Sequence, residues 1–208
     1  MTCAAVLGLS VSALASTYTK VTADPGNWSG EYLIVYENGE TGYAMDGSLD
    51  NPDATTNFFE VSLGEGKIVG DHDGSLFTVS PKTGGYSILS TSEKYIGSST
   101  TGTSGNLKSS TTDDFTNVIS WTNGHVQIKS ADKFYLIYNT SSKKFRYYTS
   151  ESTNTQFYKK DGGSATNPAA SVTLNASTIT RNQYERFALQ ATVVGEDASK
   201  PCTEVISW

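Results

Sequence analysis

Short runs of alternating apolar and polar residues, separated by clusters of glycine, asparagine, aspartate and proline, follow one another from residue 18 to residue 160. Alternation places successive side chains on opposite faces of a strand, and the clusters are typical of turns. After residue 16 no segment keeps helical apolar spacing for three turns, so the pattern predicts an all-β chain. Strands are predicted at 18–21, 32–36, 43–45, 58–63, 67–69, 76–79, 86–89, 94–96, around 107, 118–121, 126–129, 134–138, 145–148 and 156–159.

A unit of about forty residues is repeated within this block, which indicates one supersecondary structure used several times. In the two clear copies the same nine-residue spacing separates Tyr86 from Tyr95 and Val126 from Tyr135. A weaker copy lies upstream, where 32–35 precedes 42–45. With 67–69 and the last strand set aside, the predicted strands therefore form three sets of four.

Three such sets over 18–160 resemble a β-trefoil, the fold of ricin-type lectins and fascin-like domains. The resemblance implies a three-repeat barrel in which 156–159 pairs with 18–21, which removes free strand edges. A β-sandwich also has short strands at this spacing, but it gives no reason for a forty-residue repeat. Ricin-type repeats carry Gln-x-Trp, whereas this chain has only Gln156-Phe157-Tyr158. The fascin-like variant is therefore the closer comparison, and no sugar-binding residue is transferred from the lectins.

A second module is predicted after a Gly, Ser and Pro-containing linker at 161–168. Segments 172–177, 187–193 and 205–208 resemble the first strands of a bacterial group 2 immunoglobulin-like domain. The family pattern continues past the tryptophan that stands here as Trp208, so 169–208 is interpreted as an incomplete immunoglobulin-like β-sandwich module, with further domains C-terminal to it. About forty residues are too few to bury a sandwich core, so we expect this segment to be poorly ordered in isolation.

The first sixteen residues predict export. They form an apolar run of small residues that ends in Ala13-Leu14-Ala15, the pattern of a secretory cleavage site, although no basic residue precedes Lys20. Residues 1–16 are therefore interpreted as a signal peptide that is either incomplete or degenerate, against the alternative of a buried strand. A secreted or cell-surface location is expected, with no membrane insertion after signal removal, because no other segment is long and apolar enough. Of the two cysteines, Cys3 would leave with the signal and Cys202 would have no partner, which excludes a disulfide framework.

The charge distribution disfavours nucleic acid as a partner. The formal net charge is −6, and the three arginines, Arg146, Arg181 and Arg186, are scattered. Phosphate backbones require a basic patch, so the acidity indicates only a solvated surface.

No catalytic residue, metal site or cofactor is predicted. The segment 71–74 (Asp-His-Asp-Gly) matches neither an EF-hand loop nor a zinc spacing and is read as a turn. His125 follows Asn123-Gly124, a hairpin signal. No serine lies in a nucleophile elbow, and carboxylate pairs such as Asp50 with Asp53 are read as solvated loop charge. The chain is therefore not expected to be an enzyme by itself.

Aromatic residues on or next to strands provide the candidate ligand-binding residues. Alternation requires adjacent Tyr147 and Tyr148 to point to opposite faces, so one of them should be exposed. With Arg146 between them, and with Trp121, they form the candidate site, against the alternative of core and rim packing. The wider aromatic set comprises Trp28, Tyr36, Tyr43 and Phe145 as well.

These features favour a noncatalytic recognition or adhesion region of an exported modular bacterial protein, which binds a glycan, an extracellular protein or another extracellular polymer. One alternative is an accessory domain of a secreted glycoside hydrolase, nuclease or protease whose catalytic domain lies outside this chain. Another is a structural spacer. Because the repeats share their core positions, the loops that differ between them, 37–41, 98–106 and 140–144, are the places where recognition is expected.

Overall fold

The computed structural model describes residues 15–99, 106–131, 133–151 and 153–161, and the backbone of 169–174 and 191–195. The chain divides into two compact units, with the boundary between Asp161 and Gly162. In this part of the chain the secondary structure is almost entirely β, which confirms the predicted all-β class. None of the described segments is a helix capable of crossing a membrane. The predicted signal segment, apart from Ala15 and Ser16, lies outside the described residues, as does the predicted linker beyond Asp161.

The described part of the first unit contains fourteen strands, and each strand predicted there overlaps or directly adjoins an observed one. A short 3₁₀ turn at Asp73–Ser75 interrupts them, at the segment predicted to be a turn. The strands are β1 (Ser16–Lys20), β2 (Gly30–Asn38), β3 (Thr41–Met45), β4 (Phe58–Ser62), β5 (Lys67–Gly70), β6 (Phe77–Lys82), β7 (Gly85–Ser90), β8 (Tyr95–Gly97), β9 (Lys108–Ser110), β10 (Asn117–Thr122), β11 (His125–Ser130), β12 (Phe134–Asn139), β13 (Lys144–Tyr148) and β14 (Thr155–Lys160).

All of these strands pair antiparallel in one sheet, and the pairing follows one scheme three times. The first set is β14, β2, β3 and β4, the second is β6 to β9, and the third is β10 to β13, with each strand paired to the next in its set. Neighbouring sets meet through β2 with β6 and β7 with β10. The third junction brings β11 against β14, where Gln156 Nε2 donates to the carbonyl of Gly124 at 2.7 Å.

The closing strand behaves in part as predicted. β14 pairs with β1, with Thr19 opposite Lys159. However, β14 also pairs with β2, and so it, not β1, is the first strand of the first set. Burial explains this assignment, because residues 155–158 are all buried, whereas Tyr18 is the only buried residue of β1. Strand β1 instead extends the sheet to β5.

The shared core positions of the three sets can be read from the strand registers. Ile34, Ile88 and Ile128 occupy the same place in the strand pairs that begin the three sets, and all are fully buried. One strand further on, the equivalent positions hold Met45, Ile96 and Leu136, which are also fully buried. Removal of this much aliphatic surface from water is the main stabilising contribution to the fold. The repeat in the sequence therefore corresponds to a repeat in the core.

A second, smaller cluster of buried residues lies under β1 and β5 and contains Tyr18, Leu33, Ile68 and Tyr158. The hydroxyls of its two tyrosines form hydrogen bonds with carboxylates at the edge of the cluster. Tyr18 donates to Asp73 Oδ1 at 2.7 Å, and Tyr158 donates to a Glu37 carboxylate oxygen at 2.7 Å. These hydrogen bonds allow large polar rings to be buried without an unpaired hydroxyl.

In the second unit the structure describes a single strand pair. Strand β15 (Ala169–Leu174) pairs antiparallel with β16 (Ala191–Gly195), and Val172 stands opposite Val193. These strands overlap the predictions at 172–177 and 187–193. The third predicted strand, 205–208, lies outside the described residues.

Candidate ligand-binding cleft

A surface cavity of about 230 Å³ lies where the first set meets the third. Strands β2, β3 and β4 supply one side of it, and β12 with the β12–β13 turn supplies the other. Four of its eight lining residues are aromatic, and the other four are polar. The residues that line this aromatic cleft are Tyr36, Asn38, Tyr43, Phe58, Glu60, Tyr138, Thr140 and Lys143.

Strand register explains why these residues share one face. Tyr36 stands opposite Tyr43, and Tyr43 stands opposite Glu60, so the three form a row across β2, β3 and β4. Directly opposed residues in antiparallel strands project to the same side of the sheet. Phe58 lies two residues before Glu60 and therefore faces the same way.

The rings pack against Tyr138, which comes from the third set. Its ring centroid lies 5.0 Å from that of Tyr43 and 5.1 Å from that of Tyr36, with interplanar angles of 16° and 30°. Phe58 meets Tyr43 and Tyr138 edge-on, at 5.3 Å and 5.2 Å. Offset stacking and edge-to-face contacts at these distances are the favoured aromatic geometries. The wall of the cleft is thus a packed aromatic surface and not a set of independent side chains.

The tyrosine hydroxyls of the cleft differ from buried tyrosine hydroxyls elsewhere in their hydrogen bonding within the protein. Tyr147, for example, donates to Asn117 Oδ1 at 2.7 Å. Within the part of the chain that the structure describes, the hydroxyls of Tyr36, Tyr43 and Tyr138 have no hydrogen-bond partner. Burial, followed by the nearby Tyr43, Glu60 and Tyr36, raises the pKa of Tyr138, so its hydroxyl remains protonated at neutral pH. The cleft therefore offers hydroxyls that can donate and accept hydrogen bonds with a ligand.

Four exposed polar side chains, those of Asn38, Glu60, Thr140 and Lys143, surround the rings. Among the described residues neither Glu60 nor Lys143 takes part in an ion pair. The rim therefore carries one acidic and one basic group that no protein charge neutralises.

The β12–β13 turn, which carries two of the rim residues, has a defined conformation. The side-chain oxygen of Asn139 accepts hydrogen bonds from the backbone N–H groups of Ser141 and Ser142, both at 2.9 Å. Such a side-chain hydrogen bond is typical of asparagine in turns. Lys143 closes the turn with a φ of 51°, in the left-handed region. Thr140 and Lys143 are thereby held beside the rings.

Behind the cleft, Asn57 ties the two contributing sets together. Its side-chain oxygen accepts from the backbone N–H of Phe145 at 2.8 Å, and its Nδ2 donates to the carbonyls of Phe145 and Pro52 at 2.9 Å and 2.7 Å. Asn57 is fully buried, so all of these bonds form away from water. The ring of Phe145 packs against Tyr138 with centroids 5.2 Å apart. Tyr138 of the cleft is thus backed by Phe145 on strand β13, and a strand holds a side chain more rigidly than a loop does.

Tyr147 and Tyr148 point to opposite faces, as alternation predicted. Tyr147, however, is fully buried, and its hydroxyl donates to Asn117 Oδ1 in the core. Its assignment as a ligand-binding residue is therefore corrected. Tyr148 is half-buried and does not line the cleft. Trp121 is half-buried as well and packs against the main core. Nothing in the structure tests Tyr148 or Trp121 as a binding residue.

Arg146 lies on β13 between these two tyrosines, and its guanidinium is engaged by the protein itself. Its Nε lies 3.1 Å from Asp53 Oδ1, and its Nη2 donates to the side-chain oxygen of Asn106. Lys144 Nζ also contacts Asp53 Oδ1, at 2.9 Å. This cluster connects the loop before β4 to β13. The structure does not bring Arg146 into the aromatic cleft.

Tyr36 and Tyr43 were expected to lie on strands but were not among the candidate ligand-binding residues, and Tyr138 was not among the aromatic residues considered. The sequence feature that pointed to the cleft was the set of loops that differ between the three repeats. Loops 37–41 and 140–144 contain Asn38, Thr140 and Lys143, which line the cleft. Residues 100–105 of the third loop, 98–106, lie outside the described residues.

The cleft contains one carboxylate, that of Glu60, and its other charged group is the ammonium of Lys143. Across the described ranges no three acidic, histidine or cysteine side chains are grouped so as to hold a metal ion. His72 packs against Phe59, with ring centroids 5.1 Å apart, and burial lowers the pKa of its imidazole. The chemistry available in the cleft is therefore stacking, hydrogen bonding and charge attraction.

Comparison with known proteins adds no relative to this description. No family model, no curated protein and no solved structure matches the chain.

Proposed function

We propose that the first unit is a noncatalytic recognition module and that the aromatic cleft is its ligand site. We also propose that the unit is a β-trefoil of the fascin-like kind. The proposal is supported by the pairing scheme that recurs in three sets and by the junctions of β2 with β6, β7 with β10 and β11 with β14. Loops 37–41 and 140–144, which differ between the sets, contribute Asn38, Thr140 and Lys143 to the cleft.

The proposed ligand is a sugar unit of an extracellular glycan. The observation that carries this proposal is the set of three stacked tyrosines, Tyr36, Tyr43 and Tyr138, whose hydroxyls have no partner in the described part of the protein. A sugar ring has an apolar C–H face that packs on an aromatic ring and hydroxyls around its edge that need donors and acceptors. The half-buried Tyr36 and Tyr43 supply aromatic surface, and Asn38 and Thr140 supply polar groups beside it.

We propose in addition that this module belongs to an exported and modular bacterial protein. The apolar segment 1–16 supports secretion or display at the cell surface. The sequence of segments 172–177 and 187–193 supports an immunoglobulin-like module in the second unit. In such a protein a binding module would attach the chain to a polymer outside the cell.

A glycan array probed with the full chain tests this function directly. We expect wild-type protein to bind a small group of related glycans and Tyr36→Ala to lose that binding. Circular dichroism of the variant checks that the fold is retained. Absence of binding across the array, or equal binding by the folded variant, would refute the proposal.

A further inference from the structure

The charge distribution of the aromatic cleft narrows the class of ligand, an inference that rests on the function proposed above. Tyr36 and Tyr43 line the cavity and are half-buried, and the face of an aromatic ring carries the negative part of its quadrupole. A cation within about 6 Å of such a face is attracted to it. A group held over Tyr36 or Tyr43 is therefore favoured when it carries a positive charge.

Glu60 adds a full negative charge to this surface. It lies on β4 opposite Tyr43, in the row that begins with Tyr36, so a strand holds its position. Its charge also reaches the deeper ring, since Glu60 is one of the groups that raise the pKa of Tyr138, after burial and Tyr43. Because no ion pair occupies Glu60 in the part of the chain that is described, its carboxylate is available to a ligand.

Lys143 is the positively charged residue of the cleft and could repel a cationic ligand. It lies at the end of the exposed β12–β13 turn, on a long side chain that can move its ammonium into water. Glu60 has a shorter side chain on a strand whose neighbours on the same face are Phe58 and Tyr43. The negative charge is thus fixed beside the rings, and the positive charge is not.

We propose that the aromatic cleft selects glycans that carry free amino groups, with the ammonium placed over the tyrosine faces and bonded to Glu60. Neutral glycans and those with acetylated nitrogens lack this interaction. The hydroxyls of the cleft tyrosines serve the sugar hydroxyls in both cases.

The test measures binding of the full chain by calorimetry at about pH 6, where an amine is protonated. The probes are chitosan hexasaccharide, which has free amines, chitin hexasaccharide, which is acetylated, and cellohexaose, which has no nitrogen. We expect chitosan to bind about tenfold more tightly than either of the others, at fixed ionic strength. Glu60→Gln should abolish that preference and Lys143→Gln should not weaken it.

The matched control is Glu65→Gln. Glu65 is exposed in the turn between β4 and β5, outside the cleft, and its substitution removes the same charge. If it reduces chitosan binding as much as Glu60→Gln does, the attraction is that of the acidic chain as a whole, and the inference is overturned. Equal binding of the three probes, lost in Tyr36→Ala, would overturn the amine preference and leave glycan recognition standing. Binding of none of them would overturn the inference, and silence across the glycan array as well would overturn the proposed function.

Discussion

Tyr36 of β2 and Tyr138 of β12 stack with their ring centroids 5.1 Å apart, although they belong to different four-strand sets. No local pattern brings them together, because the contact forms only when the first and third sets pack side by side. The contact completes the aromatic cleft, since Tyr138 is the ring that also meets Tyr43 and Phe58.

Removal of a ring from the cleft should weaken glycan binding more than removal of its hydroxyl alone. We expect Tyr43→Ala to lose about tenfold in affinity and Tyr43→Phe about threefold, because the second variant keeps the stacking surface. Calorimetric titration with a glycan that binds the wild type measures both. Trp121→Ala tests the competing site predicted from the sequence, since Trp121 is half-buried outside the cleft. If Trp121→Ala loses as much as Tyr43→Ala, the cleft is not the binding site.

The buried hydroxyl of Tyr147 should stabilise the fold. Tyr147→Phe leaves Asn117 Oδ1 without its 2.7 Å donor in the interior, so we expect a loss of about 1 to 2 kcal/mol in the free energy of unfolding. Tyr148→Phe is the matched control at the neighbouring, half-buried position, and it should change stability by less than about 0.5 kcal/mol. Urea denaturation measures both. Equal effects of the two variants would show that the hydrogen bond contributes nothing.

Acid should weaken the contact between Asp73 and its partners. Burial of Asp73 alone would raise its pKa, but hydrogen bonds from Tyr18 and Lys160 hold that pKa below its ordinary value in the folded protein. The resulting stabilisation is present above the unfolded-state pKa of about 4 and is lost as the pH falls through the lower folded-state pKa.

Asp73→Asn should therefore cost up to about 1 kcal/mol at about pH 7, a small value because the carboxylate is partly exposed. The difference between wild type and variant should shrink towards about pH 2, as wild-type Asp73 takes up its proton. Urea midpoints at the two pH values measure this. Asp71→Asn, at an exposed neighbour, is the control. A wild-type to variant difference that stays constant with pH would contradict the assignment.

Gly47 should not tolerate a side chain. A Cβ there would lie 2.6 Å from the carbonyl oxygen of Leu76 and 2.8 Å from that of Ser75, both of which are backbone atoms. We expect Gly47→Ala to lower the free energy of unfolding by about 2 kcal/mol. Gly74→Ala is the control, because a Cβ at that position meets nothing within 4 Å. Thermal unfolding compares the two, and similar melting temperatures would show that the backbone around Gly47 adjusts freely.

Much of the fold could be predicted from local pattern. Alternation in segments such as 86–89 and 134–138 predicted strands because the side-chain period of two is a property of the strand itself. The repeat of Tyr86 and Tyr95 as Val126 and Tyr135 predicted equivalent registers for the same reason. The position of β14 was harder to predict, because its pairing with β2 depends on which of two distant strands buries more of its side chains.

The sequence of this protein was sufficient to determine where its strands lie, that they repeat, and that Tyr147 and Tyr148 face opposite ways, because each of these follows from the chemistry of neighbouring residues. Only the tertiary structure decided which of that pair is buried, that Arg146 is engaged by Asp53, and that Tyr138 joins the tyrosines of the first set. The reason is physical: burial and ring stacking depend on surfaces that come into contact only after the sets have packed together.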